Sequence, residues 1–418
     1  MSALNAAAEP DNLRVERHAS WAELFFDLVA VAGVGALAHV LEAELDASSL
    51  GLYALLFLAF WLCWTTFMLY GNVAAGRTRV IRLLVGMFGL GVMAASVPGV
   101  AHTVLEEGHS DRPLTVFTIA YIATRVYGAQ SWRRGEILID FPVVQYSIGL
   151  VPWFASIWVD EPWKLTLWAV GVGLDLLLIV VLSGDDMLRR IQTYLTNLPA
   201  PKARGPQDHH DHHAGPAEGG PPVRGVSVDP AHLSERLGLF VIIVLGESVM
   251  QVVDAAGEAP YGAGLLTTGL AAFLLLAGVF GLSVVFGYAG LPHLRAGRIP
   301  ARAALGLHCL VTGVIATVAV SLASVVQHGH EPLPDEGRWL LCGAVAAYFA
   351  LGVVTGVASR SADLPDSVAR LVTGVGIPLL LGAFATGAGA RGLVIYLVLV
   401  IMAHLAFEAR HHRQDASA

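Results

Sequence analysis

Residues Trp21 to Glu42 read WAELFFDLVAVAGVGALAHVLE, and the reading of this stretch decides the fold. As a helix it rises about 33 Å, enough to cross a hydrocarbon core of about 30 Å. It also carries Glu23 and Asp27, at i and i+4, on one helix face. Asp27 lies about 9 Å along the axis from Trp21, inside a bilayer but short of its centre. Carboxylates in hydrocarbon are expensive, so these two need partners or a task. A second stretch, His232 to Asp254, reads HLSERLGLFVIIVLGESVMQVVD and looks like the same idea repeated.

The whole composition agrees with a membrane setting. The chain has 418 residues, 55% hydrophobic and 14% charged, with a mean hydropathy of +0.64. A soluble domain carries about 25% charged residues. The expectation is an all-α, polytopic membrane protein, because helices satisfy their own backbone groups in lipid and no alternating barrel pattern is present. The partners implied are the lipid bilayer and a small solute or ion, with no nucleic acid at a net charge of −8. Cys63, Cys309 and Cys342 lie in apolar runs without CxxC spacing and read as buried hydrophobes. The first twenty residues lack the pattern of a cleaved signal peptide, so the first apolar segment reads as an uncleaved anchor.

About twelve candidate spans follow, near 21–43, 49–70, 81–104, 113–131, 139–159, 164–183, 232–254, 263–287, 303–326, 338–358, 367–388 and 391–409. With residues 1–20 as a cytoplasmic tail, Arg112, Lys164, Arg338 and Arg391 fall outside, and Arg125 and Arg236 fall within spans. The remaining 19 of the 25 basic residues fall inside, the skew the positive-inside rule expects. Both termini, 410–418 included, are then cytoplasmic.

The longest interruption, 184–230, is rich in Pro, Gly and His and reads as a disordered cytoplasmic linker. It divides the chain into halves, 21–183 and 231–409, of six expected spans each. An even number lets both halves enter from the same side, as in a parallel duplication. Placing Glu23 on Glu235 aligns ELFFDLVAVAG with ERLGLFVIIVL. The second span of each half ends in an aromatic–Gly pair, Tyr70–Gly71 and Phe286–Gly287, before a basic loop.

WAELFFDLVAVAGVGALAH and HLSERLGLFVIIVLGES resemble the two signature stretches of the bacterial low temperature requirement A (LtrA) family. IRLLVGMFGLGVMAASVPG and YIATRVYG fit its third and fourth spans, and the resemblance covers roughly residues 15–410. It implies a multi-pass protein of the bacterial cytoplasmic membrane, and carries no substrate or reaction with it. The chain departs from the family pattern where Ala30 and Gly33 lighten the first span. The loop after the second span, NVAAGRTRVIR, also lacks the acidic residues often found there.

The charged residues within spans, with Ser248 beside Glu247, are the candidate solute or ion path: Glu23, Asp27, Arg125, Asp175, Glu235, Arg236, Glu247 and Ser248. Glu23 reads either as an interfacial residue favouring the helix N-terminus or as part of that path. Asp27 reads as a buried structural pair or as a proton or cation site. Its favoured partner is Arg125, six residues from the cytoplasmic end of the fourth span, although snorkelling of Arg125 is the alternative. Glu247 lies past the midpoint of the seventh span, between Gly246 and Ser248. It is eleven residues from Arg236, on nearly the same face, but about 16 Å away along the axis. Asp175 is a mid-span acid with no local partner. His39, His102, His308 and His404 read as packing residues. The run DHHDHH places His209, His210, His212 and His213 in the linker, where they offer at most loose metal binding without defined spacing.

No HExxH, P-loop or GxSxG motif appears at a sensible position, so neither an enzyme nor a cofactor is expected. The first functional expectation is a secondary transporter or permease that uses intramembrane carboxylates for proton or ion coupling. The second is a non-transporting accessory or lipid-interacting protein, whose charges are structural pairs.

Overall fold

Apolar runs in lipid fold as helices because no water is present to bond stray backbone groups. The computed structural model follows this rule almost throughout. It describes residues 18–43, 45–74, 77–106, 110–132, 135–181, 184–196, 223–288, 299–327, 332–358 and 364–415. Among the described residues, nine helices are long and apolar enough to cross a membrane.

The first span is α1 (Trp21–Ala36), which tightens at Leu37 and continues as α2 (Ala38–Ala43). It starts at a capping box. Ser20 Oγ accepts from the Glu23 backbone N–H, and the Ser20 backbone N–H donates back to the Glu23 carboxylate at 2.9 Å. Then follow α3 (Ala47–Ala74), α4 (Val80–Leu105) and α5 (Arg112–Ala129). Asp46 and Ser49 make the reciprocal bonds that start α3. The Ser49 backbone N–H holds the exposed Asp46 carboxyl below its ordinary range.

The fifth expected span is not a continuous helix, which corrects the reading of twelve regular helices. Residues 139–159 contain only a 3₁₀ turn (Pro142–Val144), the short α6 (Leu150–Ala155) and a second 3₁₀ turn (Ser156–Trp158). The sequence DFPVVQYSIGLVPW explains it. Pro142 and Pro152 remove backbone donors, and Gly149 supports no helix strongly. The segment runs antiparallel to α7 (Trp163–Val181). Gly184 meets Ile139, Gly149 meets Gly171 and Asp175, and Trp153 stacks on Trp168 at 4.7 Å.

The segment 184–230, expected to be a disordered linker, is ordered at both of its described ends. Gly184–Thr196 forms α8, whose sequence GDDMLRRIQTYLT spaces Met187, Leu188 and Ile191 along one side. Arg224–Val226 forms β2, which pairs in parallel with β1 (Glu136–Leu138). That small sheet is the departure from a purely helical expectation. The Pro/Gly/His composition masked the amphipathic period at the start of the segment. His209, His210, His212 and His213 lie outside the described residues.

The second half begins at α9 (Pro230–Glu258), capped by Asp229 with Pro230 in its first turn. It continues through α10 (Ala263–Phe280), extended by a π-turn over Gly281–Val285, then α11 (Ala301–Gln327) and α12 (Asp335–Ala358). The next span is interrupted in its middle. Leu364–Arg370 forms α13, residues 371–376 form a π-helix, and Ile377–Phe384 forms α14. The last helix is α15 (Ala390–Asp415). Helices α1 and α3 pack against α9 and α11, so the two halves meet along α1 and α9. Trp64 of α3 sits at that seam, 4.2 Å from the ring of Phe240 and 5.3 Å from that of His308.

Gly149 tests the irregular crossing. A Cβ there meets the Gly171 carbonyl and lies 2.7 Å from the Asp175 carboxylate, whereas one at Gly173 meets open space. Gly149→Ala is expected to destabilise the protein by about 1–3 kcal/mol, the range for overpacking. Gly173→Ala should leave stability unchanged. Thermal unfolding of the detergent-solubilised protein measures both.

Candidate functional site

Two buried ionic centres occupy the bundle. The first joins the halves. Arg236 of α9 donates from Nε to Asp27 Oδ2 at 3.0 Å and from Nη2 to Asp27 Oδ1 at 2.6 Å, a bidentate pair. Its Nη1 lies 3.2 Å from Glu23 Oε1. Trp64 Nε1 donates to Asp27 Oδ1 at 2.7 Å, so a third helix closes the carboxylate. His232, one turn before Arg236 on the same face, brings Nε2 to 3.8 Å from Glu23 Oε2. Its other ring nitrogen lies 3.3 Å from Asn72 Nδ2, and Asn72 also bonds the Asp229 backbone. The Glu23, Asp27, His232 and Arg236 side chains are all essentially inaccessible to solvent.

The reason lies in local sequence. Glu23 and Asp27 share one face of α1, and His232 and Arg236 share one face of α9. Packing α1 against α9 brings the two faces together, where each charge offsets the desolvation of the other. Glu23 does double duty, since it is also the acidic member of the capping box of α1.

The second centre holds the irregular segment. Arg125 Nη2 donates to Asp175 Oδ2 at 2.8 Å, with both side chains 1% exposed. Arg125 also donates to Thr66 Oγ1 at 2.6 Å and to the Val143 carbonyl at 3.4 Å. Asp175 accepts from Ser147 Oγ at 2.7 Å and from the Gly149 backbone N–H at 3.0 Å. Backbone at membrane depth persists only where protein satisfies it, and here the ion pair satisfies two of its groups. An aromatic wall seals the centre, with Tyr121 4.0 Å from Trp153 and Phe117 5.3 Å from Trp168.

The expected Asp27–Arg125 pair is therefore wrong. Each residue has another partner, because Arg236 reaches Asp27 across the seam while Arg125 turns toward α7. Asp175, read as lacking a local partner, is the partner of Arg125. Glu235 stands outside the first centre, half-buried, 3.3 Å from Nδ1 of the exposed His18. Glu247 is half-buried with its carboxylate against Gly35 of α1, so it faces the same helix as Arg236 but belongs to neither centre. Ser248 is buried and donates to the Val244 carbonyl at 2.8 Å.

Trp64, His232, Asn72, Thr66 and Ser147 were missed by sequence reasoning. For His232 a signal existed, its i, i+4 spacing to Arg236. For the others the sequence offers only polar residue types within or beside apolar runs. His308 packs between Trp64 and Phe240, and His404 bonds the Val400 carbonyl and Thr373, both as packing residues. The side chain of His39 lies outside the described set, and His102 is exposed. The three cysteines are buried and free. Among the described residues, no three His, Cys, Asp or Glu side chains converge to hold a metal ion.

Asp27→Ala strands Arg236 in the bundle interior. Loss of one partner of a buried pair is expected to destabilise by about 3–5 kcal/mol. The Asp27→Ala/Arg236→Ala double variant should lose much less than the sum of the singles, whereas Asp27→Ala/Arg125→Ala should be close to additive. Double-mutant cycles from denaturant titration in mixed micelles measure both couplings.

The uncharacterized protein RA0937 of Rhizobium meliloti (strain 1021) is 28% identical over 250 residues, covering 56% of this chain and 50% of that protein. The match thus spans about half the length of that relative. The model of the family described as bacterial low temperature requirement A protein (LtrA) matches residues 18–403, which takes in both ionic centres and the irregular segment between α5 and α7. The chain accordingly belongs to the LtrA family of bacterial multi-pass membrane proteins.

Proposed function

We propose that the protein is a proton- or cation-coupled secondary transporter or permease of the bacterial cytoplasmic membrane, with Glu23, Asp27, His232 and Arg236 as the coupling site. Charge carries this reading. Two buried carboxylates, an imidazole and a guanidinium meet there, and Glu23, Asp27 and His232 are of the types that can take up or release a proton. A proton gained or lost at any of them, or a monovalent cation bound beside them, changes the charge of the cluster. Buried charge of this kind is costly in a membrane unless it is compensated, and a compensating ion that comes and goes is a coupling ion. His308 also stands at the seam, its ring stacked on Trp64 as a packing residue.

The position supports the same reading. The centre ties α1 to α9, and neutralising Glu23 or Asp27 weakens that tie. Loosening one half against the other is how alternating access proceeds in transporters built of two repeats. A duplication is supported by the order of neighbours. The first span packs on the third and the second on the sixth in each half, taking α1, α3, α4 and α7 with α9, α10, α11 and α15. Thr66 meets Arg125 in one half, and Ser283 meets Tyr348 in the other. The fifth span is irregular in both. Counting residues 139–159 as a crossing gives twelve, with both termini at the basic, cytoplasmic end. The reading is non-enzymatic.

One observation favours the alternative of a non-transporting accessory or lipid-interacting protein: among the described residues, three cavities of the bundle are lined by residues other than Glu23, Asp27, His232 and Arg236. Flux separates the two. Proteoliposomes with an imposed pH, Na⁺ or K⁺ gradient and an internal indicator dye should show proton or cation movement. Asp27→Asn and Glu23→Gln should cut the rate at least about tenfold, the worth of one group held in its charged form. Glu235→Gln, outside the centre, should stay within about twofold. Wild-type vesicles that move no ion under any gradient would rule out transport and leave the accessory role.

A further inference from the structure

A second site lies at the basic end of the bundle, away from both ionic centres. The ends of α3, α4 and α5 enclose a cleft of about 470 Å³. Arg77, Arg79 and Arg82 line it, with Tyr70, Trp132 and Glu136. Basic residues at this end are expected of any membrane protein, but a walled cleft that gathers three of them is not.

Among the described residues, Glu136 is the one carboxylate lining the cleft, and it is already engaged by Arg224, brought alongside by the β1–β2 pairing. Among the described residues, Arg77, Arg79 and Arg82 form no ion pair. Arg82 is held rather than free. Its Nη1 donates to the Gln130 carbonyl at 3.0 Å, and its guanidinium lies 5.8 Å from the Tyr70 ring centre. Tyr70 and Trp132 meet edge to face at 6.4 Å and form an aromatic wall. The buried indole N–H of Trp132 has no acceptor among the described residues.

We propose that this cleft binds a phosphoryl anion. Arg82 is held at the cleft wall, the exposed Arg77 and Arg79 line the same cleft, and guanidinium forks match phosphate oxygens two at a time. The volume falls in the range of small-ligand sites. The ligand has two chemical sources, the headgroup of an anionic phospholipid or a soluble phosphorylated molecule, and both present the same group. The cleft also has a route to the first ionic centre. Tyr70 adjoins Gly71, which faces the Glu23 carboxylate, and then Asn72, which bonds His232. The site does not depend on the transport reading.

The experiment uses the full-length protein. In neutral detergent, thermal unfolding is followed against sodium pyrophosphate, with sodium chloride at matched ionic strength. In nanodiscs, it is followed with and without phosphatidylglycerol in phosphatidylcholine. A saturable rise in Tm is expected in one arm or both. Pyrophosphate alone identifies a soluble source, and phosphatidylglycerol alone a lipid one. The response should vanish in Arg77→Gln/Arg79→Gln/Arg82→Gln and persist in Arg410→Gln/Arg413→Gln, which removes exposed charge outside the cleft. Arg79→Gln alone, the milder variant should the triple not fold, is expected to weaken the midpoint about tenfold. No response in either arm overturns the site, as does a response lost equally from the Arg410/Arg413 variant.

Discussion

The structure depends on one interaction, the bidentate pairing of Arg236 with Asp27 in a place that water does not reach. Each charge alone would be costly to bury, and together they are tolerated only at the distance and angle the seam provides. That requirement fixes how α1 lies against α9, and through Trp64 it fixes α3 as well. Packing in lipid gains little from the hydrophobic effect, so polar contacts of this kind carry more of the specificity than they would in a soluble core. The capping box at Ser20 then sets where α1 begins, because Glu23 serves both the cap and the pair.

The Arg125–Asp175 pair answers a different constraint. Residues 139–149 bring non-helical backbone to the depth of α5 and α7, where no water is available to bond it. Asp175 takes the Gly149 N–H and Arg125 takes the Val143 carbonyl, so one ion pair both neutralises itself and closes the broken segment. Trp153, Trp168, Tyr121 and Phe117 exclude water around it. The two centres thus divide the work, one joining halves and the other holding an irregular strand of chain inside the first half.

Much of this was legible residue by residue. The apolar run at Trp21 and the run at His232 identified α1 and α9. The i, i+4 placement of Glu23 and Asp27 put both on the face that meets α9. The pairing was misread because depth was used as the guide. Asp27, Arg125, Asp175 and Arg236 all lie four to eight residues from the same-side ends of their expected spans, and depth alone permits more than one matching among two acids and two bases. The helicity of residues 139–159 was overestimated because hydropathy scores Pro142, Gly149 and Pro152 as ordinary members of an apolar run. In the segment 184–230, the Pro/Gly/His composition hid the amphipathic start of α8.

The sequence by itself determined that this chain is a helical membrane protein of the LtrA family, where its long apolar helices fall, and which of them carry charge. Length, hydropathy and the period of a helix are local properties, so they survive without knowledge of neighbours. Only the tertiary structure decided which charge meets which, which span gives up its helix, and which arginines share a cleft. Those depend on helix rotation and lateral order, and no residue encodes its partner until the helices are packed.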